Sequence, residues 1–369
     1  MTVEQDNRFM TRAMRIGCHG RMTTDPNPRV GCVIVRKGEI VGEGWHVRAG
    51  GPHAEIHALQ MAGDKARGAT VYVTLEPCSH HGRTPPCADA LIEAGVSRVV
   101  VAMEDPNPEV SGQGIQRLRD AGIEVMLSEH QQQAEKMNPG YLKRVREGLP
   151  FLRVKLASSL DGRTAMASGE SKWITSESSR TDVHRLRAES SAILTGMGTV
   201  RADNPSLTVR LGVDKLGEFV PPTRVVLDTN FEIDADARLV TDGEAPTLII
   251  TAEGKAGSRQ DITAKHVEVA EAPLMNDKLD LHAVMHLLAE RGFNEVMTEA
   301  GAKLSGALLQ EKLVDELVLY MAPHLMGDEA KEMMHLPGMQ NMNQRILLHI
   351  SDITNLGDDI RITARPEVS

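Results

Sequence analysis

Apolar positions recur along the chain in two periods, and the periods alternate. Phe9, Met10, Ala13, Met14 and Gly17 fall at helical spacing, so residues 5–17 are predicted as a helix. "VGCVIVRKGEIVGEGWH" (30–46) predicts two strands around a Lys-Gly turn. "HAEIHALQMAG" (53–63) predicts a helix that stops at Gly63, and "TVYVTLEP" (70–77) a strand running into a Pro- and His-rich loop. A helix over 87–95, a strand over 97–103, a helix over 114–122 and a strand over 123–127 continue the alternation, with one helix over 131–146. Strand–helix alternation of this kind argues for an α/β layer fold.

A joint is expected in "REGLPF" (146–151), where Gly148 and Pro150 precede the new strand "FLRVKLA". The near-continuous apolar runs at 191–200, 223–228 and 246–251 predict buried strands. Residues 279–292 predict a helix, 294–301 a strand entering a turn, and 303–313 a helix; "VDELVLYMAP" (314–323) and "RILLHISDIT" (345–354) close the sheet. The expectation is two α/β domains, 1–147 and 148–369, in keeping with domains of roughly 100–200 residues.

The composition, 41% hydrophobic and 25% charged, is that of an ordinary globular protein. A formal charge of -10 and 3% aromatic residues argue against a nucleic-acid surface, which needs clustered cations and stacking platforms. A small phosphorylated substrate needs only a local Arg cluster and stays open. No apolar run approaches the ~18 residues of a membrane helix, and "MTVEQDNRFMTRAM" has no apolar signal region. The expected location is cytoplasmic. There, Cys18, Cys32, Cys78 and Cys87 read as thiols or metal ligands rather than disulfides.

The chemistry concentrates in "HAE" at 53–55 and "PCSHHGRTPPC" at 77–87. Two thiolates and an imidazole, from Cys78, Cys87 and His53, bind zinc and leave a fourth tetrahedral position open for water. Zinc lowers the pKa of such a water from ~15.7 to about 7. Glu55, a carboxylate that is not a ligand, can carry the proton to a leaving amine. Residues two apart point ~200° apart around a helix, so His53 and Glu55 share a site only at a helix start, which Pro52 favours. Cys87 likewise opens a helix after Pro85 and Pro86, where free N–H groups favour a thiolate. The alternative is a closed structural zinc site with His80 or His81 as the fourth ligand. Such a site has no use for Glu55.

These residues resemble the cytidine-deaminase-like zinc deaminases, whose pattern is H-x-E followed by P-C-x-x-C. The chain departs from that form in having eight residues between its cysteines. The longer "PCSHHGRTPPC" resembles the deaminase of riboflavin biosynthesis, and "TTDPNPRVGCVIV" (23–35) resembles the substrate loop of the same family. In the second half, "VKLASSLDGRTAMASGESKWIT" (154–175), "RADNPSLTVR" (201–210) and "TEAGAKLSGALL" (298–309) resemble the reductase of the same pathway, which has a dihydrofolate-reductase-like fold. The whole chain is similar to the bifunctional pyrimidine deaminase/reductases of bacterial riboflavin biosynthesis.

That resemblance implies a cytidine-deaminase-like α/β/α domain followed by a dihydrofolate-reductase-like α/β domain, one Zn2+ per chain, and NADPH. It implies hydrolysis of the 2-amino group of 2,5-diamino-6-ribosylamino-4(3H)-pyrimidinone 5′-phosphate, then reduction of ribosyl to ribityl. Asn27, His46, His80 and Arg83 would position the first substrate. Ala157, Trp173, Thr199, Asp203, Thr229 and the loop Gly301, Ala302, Lys303, Leu304, Ser305, Gly306 and Ala307 would line the NADPH site. Ser171, Arg187, Leu207, Arg210 and Glu299 would hold the second substrate. Lys155 or Glu299 would serve as proton donor or orienter; alone, Lys155 in a strand reads equally as a snorkelling side chain.

Guanidinium forks suit Arg187 and Arg210 to a 5′-phosphate, although each alone reads as a surface charge. The Gly-rich turn "EAGAKLSGALL" admits phosphate at a helix N-terminus or simply close helix-to-sheet packing. It is not a Rossmann fingerprint, since no acidic residue marks an NAD ribose. A homodimer is expected. Two rival readings are a nucleic-acid-editing zinc deaminase with an accessory domain, and a non-enzymatic scaffold stapled by zinc.

Overall fold

A computed structural model describes residues 2–79, 85–107 and 110–367. The chain divides into two compact units, Met1–Gly148 and Leu149–Ser369.

The first unit begins with α1 (Val3–Gly17), whose Thr2 cap accepts the Gln5 N–H in a capping box. The hairpin β1 (Gly31–Arg36) and β2 (Glu39–Trp45) turns at Lys37 and Gly38, both at positive φ. There follow α2 (Ala54–Ala62), β3 (Thr70–Val73), α3 (Cys87–Ala94), β4 (Arg98–Val101), α4 (Gln113–Asp120) and β5 (Glu124–Leu127). The five-stranded sheet has the order β2-β1-β3-β4-β5. β3, β4 and β5 run parallel, while β1 is antiparallel to both its neighbours. Period-two alternation separates the two faces. Cys32, Ile34, Val71, Val73, Val99 and Val101 pack against α2, α3 and α4. Val33, Val35, Tyr72 and Val100 pack against Phe9, Met10 and Ala13 of α1. The result is an α/β/α sandwich in which each fully buried Val, Leu or Ile contributes about 1.5–3 kcal/mol.

The expected helix over 131–146 is two, α5 (Gln131–Met137) and α6 (Pro139–Glu147). Asn138 between them leaves helical geometry (φ -130°, ψ 46°), as a residue preceding proline tends to. Its buried side chain instead bonds the backbone N–H and C=O of Arg29 at 2.8 and 2.9 Å.

The second unit contains β6 (Phe151–Ser159), α7 (Glu177–Ala188), β7 (Ala192–Gly196), α8 (Met197–Asp203), β8 (Thr223–Leu227), β9 (Thr247–Ala252) and β10 (Val267–Ala272). It continues with α9 (Leu281–Glu290), β11 (Glu295–Thr298), α10 (Ala302–Gln310), β12 (Glu316–Ala322), β13 (Leu348–Leu356) and β14 (Asp359–Pro366). These strands form a nine-stranded sheet in the order β10-β9-β8-β7-β11-β6-β12-β14-β13. It is parallel from β10 to β12 and ends in an antiparallel hairpin. α9 and α10 cover the face of Leu152, Val154, Leu194, Val225 and Ile250. α7 and α8 cover the other face, where Val183 meets Val318 and Tyr320, and Val200 meets Ile193 and Val226.

Two expectations are corrected in this unit. The apolar run 191–200 is not one strand: β7 ends at Gly196 and Met197–Asp203 is helical, so Thr199 lies on α8. The runs 314–323 and 345–354 do not close the sheet side by side: an unpredicted strand, β14, lies between β12 and β13, and β13 is the exposed sheet edge.

Candidate active sites

In the first unit two helix starts converge. His53 is the residue preceding α2 and has extended geometry (φ -75°, ψ 166°), which releases it from the helix and lets it share a site with Glu55 one residue into α2. α2 lies tight on β2, since a Cβ on Gly44 would come within 2.4 Å of the Ala54 carbonyl oxygen. Cys87 is the first residue of α3, and its N–H donates to Cys78 Sγ at 3.3 Å. His53 Nδ1 lies 3.2 Å from Cys87 Sγ and 3.6 Å from Cys78 Sγ. The ligand atoms of His53, Cys78 and Cys87 all lie within 4.8 Å of one another. Two sulfur donors and one nitrogen donor gathered this closely fit zinc.

The cluster shares its protons unevenly. The hydrogen bond from Cys87, followed by that from His53, lowers the Cys78 thiol to about 4. The same bond to Cys78, together with burial, drives the Cys87 thiol up. His53 is raised, first by its hydrogen bond to Cys78. Glu55 is buried beside the cluster, and burial pushes its carboxyl up to about 7. A carboxyl poised near neutrality can both take and return a proton.

Asn27 and His46 stand beside this cluster. The Asn27 amide nitrogen is 3.0 Å from His46 Nε2, and His46 Nδ1 is 3.0 Å from the Pro52 carbonyl oxygen. These partners set the ring as an Nδ1–H tautomer that accepts from Asn27. The His46 ring meets His53 edge-on, with centroids 5.4 Å apart. Burial lowers the His46 pKa. The expected site residues His80 and Arg83, and the alternative ligand His81, lie outside the described residues.

Sequence reasoning passed over Glu76. Its buried carboxylate accepts from the N–H groups of Asp105, Gly112, Gly114 and Ile115 at 2.8–3.1 Å. It thereby ties the Cys78 loop to the start of α4. Its place two residues before a cysteine ligand was the only signal, and that does not announce four backbone partners.

In the second unit the expected residues gather where parallel strands end. Ala157 and Lys155 lie on β6, Thr199 and Asp203 on α8 after β7, Thr229 just after β8, and Glu299 to Ala307 after β11. This is the carboxyl edge of an open α/β sheet, where ligands bind. Gly301 caps α10 without a side-chain bond, and a Cβ there would meet nothing within 4 Å, so the helix start is open to a ligand. Gly306 has a different cause: its Cβ would come within 1.9 Å of the His335 carbonyl oxygen. Close packing thus accounts for Gly306, against the loop at His335 rather than against the sheet. Ser305 is buried, Lys303 is exposed, and Ala302, Leu304 and Ala307 are half-buried. Trp173 is 70% exposed, with the Arg180 guanidinium carbon over its ring, 4.6 Å from the centroid. Ser171 lies two residues before it.

Glu299 accepts a two-pronged contact from Arg187 at 2.5 and 2.9 Å, and its Oε2 lies 3.8 Å from Lys155 Nζ. Burial alone pushes the Glu299 carboxyl up, but Arg187 and Lys155 override it and hold it at about 2. Burial lowers the Lys155 pKa. Arg187 Nη1 donates to the Thr208 carbonyl at 2.8 Å, next to buried Leu207. Arg210 is exposed, and no ion pair to it is found among the described residues. His184 has no counterpart among the sequence expectations, because α7 carries too few apolar residues to show a period.

Known proteins bear on both units. Residues 3–103 match the cytidine and deoxycytidylate deaminase zinc-binding region, and residues 150–362 match the RibD C-terminal domain. The chain belongs to the RibD family. It is 49% identical over 364 residues to the riboflavin biosynthesis protein RibD of Escherichia coli (strain K12), covering 96% of this chain and 98% of that protein. The RibD structure from Acinetobacter baumannii (form 1) superposes with a TM-score of 0.90 at 42% identity over 100% of both chains. A diaminohydroxyphosphoribosylaminopyrimidine deaminase/5-amino-6-(5-phosphoribosylamino)uracil reductase from Thermotoga maritima gives 0.86 at 33% identity over 99% of each. As a RibD protein the chain is a bifunctional deaminase and reductase of riboflavin biosynthesis, with a zinc-binding deaminase domain and a dihydrofolate-reductase-like domain. No helix among the described residues is long and apolar enough to cross a membrane.

Proposed function

We propose that residues 1–147 hydrolyse the 2-amino group of 2,5-diamino-6-ribosylamino-4(3H)-pyrimidinone 5′-phosphate, and that residues 148–369 reduce the ribosyl group of the product with NADPH. The observation that carries the first assignment is Glu55, a buried carboxyl beside a His-Cys-Cys cluster it does not belong to. His53, Cys78 and Cys87 hold one zinc ion, which supplies the Lewis acidity that makes water acidic near neutral pH. Glu55 takes the proton of the attacking water and returns it to the departing amine, so that C–NH2 and H2O become C=O and NH3. Asn27 and His46 orient the pyrimidine ring through the bonded pair beside His53, with His80 and Arg83 at the ribose phosphate. Buried, hydrogen-bonded polar groups of this kind are already aligned before substrate arrives.

In the second unit NADPH, when bound, supplies a hydride to the sugar carbon. Ala157, Trp173, Thr199, Asp203, Thr229 and Gly301 to Ala307 line its site, supported by their place along the carboxyl edge of the sheet. Glu299 stays ionised and accepts from substrate hydroxyls. Lys155, buried beside it, supplies the proton that completes the reduction. Arg210 meets the 5′-phosphate, Arg187 sets the Glu299 carboxylate, and Ser171 and Leu207 close the pocket. Cytoplasmic location follows from the need to keep Cys78 and Cys87 reduced. A homodimer is supported by the uncovered apolar side chains Leu348, Ile350, Ile353 and Ile360 on the edge hairpin, 37–60% exposed.

The test is a two-step assay on zinc-loaded protein with the pyrimidinone phosphate, followed by mass spectrometry. Exchange of nitrogen for oxygen is expected without NADPH, and uptake of two hydrogens only after NADPH is added. Reduction preceding deamination would reverse the assignment.

A further inference from the structure

α7 carries His184 one turn before Arg187, so both side chains lie on one face of the helix. Both reach the same extended stretch. Arg187 Nη1 donates to the Thr208 carbonyl at 2.8 Å, and the Arg210 N–H donates to His184 Nδ1 at 3.3 Å. Residues 208–210 are thus fastened to α7 at successive points, and the fastening ends at Arg210. Arg187 is committed to Glu299 and Thr208, whereas the exposed Arg210 carries a guanidinium disfavoured by partial burial and by the charge of Arg187. Such a cation, with no ion pair found to it among the described residues, is stabilised by an incoming anion.

We propose that His184 is a positioning residue of the reductase: it fastens the Arg210 backbone so that the guanidinium is presented to the substrate phosphate. This rests on the reading above that Arg210 meets that phosphate. A neutral imidazole is needed, because only its unprotonated nitrogen accepts. Burial, then Arg187 and Arg210, lower His184 to about 4, so the ring is neutral at physiological pH. A lysine or arginine at this place would add repulsion without an acceptor.

The experiment compares reductase kinetics on the phosphorylated pyrimidine and on its dephosphorylated form. His184→Phe keeps the ring shape and removes the acceptor. It should raise KM for the phosphorylated substrate on the order of tenfold, with kcat and the KM for NADPH nearly unchanged. The KM for the dephosphorylated substrate should not move. His184→Asn, whose side-chain oxygen can stand in for Nδ1, should restore most of the loss. Should the Phe variant melt early, His184→Gln, with its amide displaced from the Nδ1 position, is read instead. Equal effects on both substrates, or a fall in kcat alone, would overturn the proposal by marking His184 as mere packing. Arg210→Ala is the control for the underlying reading. If it leaves KM for the phosphorylated substrate unchanged, the phosphate assignment itself fails. If it raises KM while the His184 variants do not, only the role of His184 fails.

Discussion

Glu299 receives Arg187 through both carboxylate oxygens, at 2.5 and 2.9 Å, with its side chain largely covered by protein. Burial alone would raise the carboxyl; the cations outweigh it and hold the group at about 2. Its folded pKa is therefore depressed. The stability it contributes is complete above the unfolded value of about 4.3 and is lost as pH falls toward 2. Glu299→Gln should destabilise the second unit by roughly 3 kcal/mol at pH 7, because buried Arg187 and half-buried Lys155 lose their partner. The difference from wild type should shrink between about pH 4.3 and about pH 2. Denaturant titrations across that range measure it; a pH-independent difference would contradict the account.

Glu55→Gln should retain zinc and lower deamination by about 10²–10⁴-fold, because an amide cannot carry the proton. Reduction of substrate already deaminated should continue at the wild-type rate. Metal analysis and the two half-reaction assays together decide it, and near-normal deamination would remove Glu55 from the mechanism.

One zinc per chain is expected, lost on Cys78→Ala or Cys87→Ala. Cys32 is buried in β1 and Cys18 lies beyond the end of α1, neither within reach of the cluster. Elemental analysis reads the stoichiometry; full zinc in either variant would move a ligand position to His80 or His81. Chelation should abolish deamination before the fold is lost, whereas a zinc-stapled scaffold would unfold first.

NADPH should be preferred over NADH by at least about tenfold in kcat/KM, since one or two charge-assisted bonds to the 2′-phosphate contribute ~1.5–3 kcal/mol each. The preference should narrow with salt. Lys303, exposed on the first turn of α10, is the candidate on the cofactor loop. Equal kcat/KM at low salt would reject the assignment.

Ile350→Asp with Ile353→Asp should convert a dimer to monomer in sedimentation velocity, as buried unpaired carboxylates oppose association. An unchanged sedimentation coefficient would place any interface elsewhere.

Much of the molecule was legible in the residues. The zinc cluster was, because two of its ligands, His53 and Cys87, sit at helix starts marked by Pro52, Pro85 and Pro86, and local steric rules act over a few residues. Most strands were, because period-two and continuous apolar runs report burial directly; β10 and β14, which carry few large apolar residues and are not so marked, were missed. What pattern could not reach was set by partners distant in sequence. Asn138 breaks a helix to bond Arg29, 109 residues away. Glu76 finds its backbone donors 29–39 residues on. β14 inserts between β12 and β13, since strand order depends on which neighbours pair. Arg187 and Arg210 look alike as letters. Tertiary packing buries one against Glu299 and leaves the other exposed, because hydrogen-bond partners and desolvation belong to the folded surroundings and not to the side chain itself.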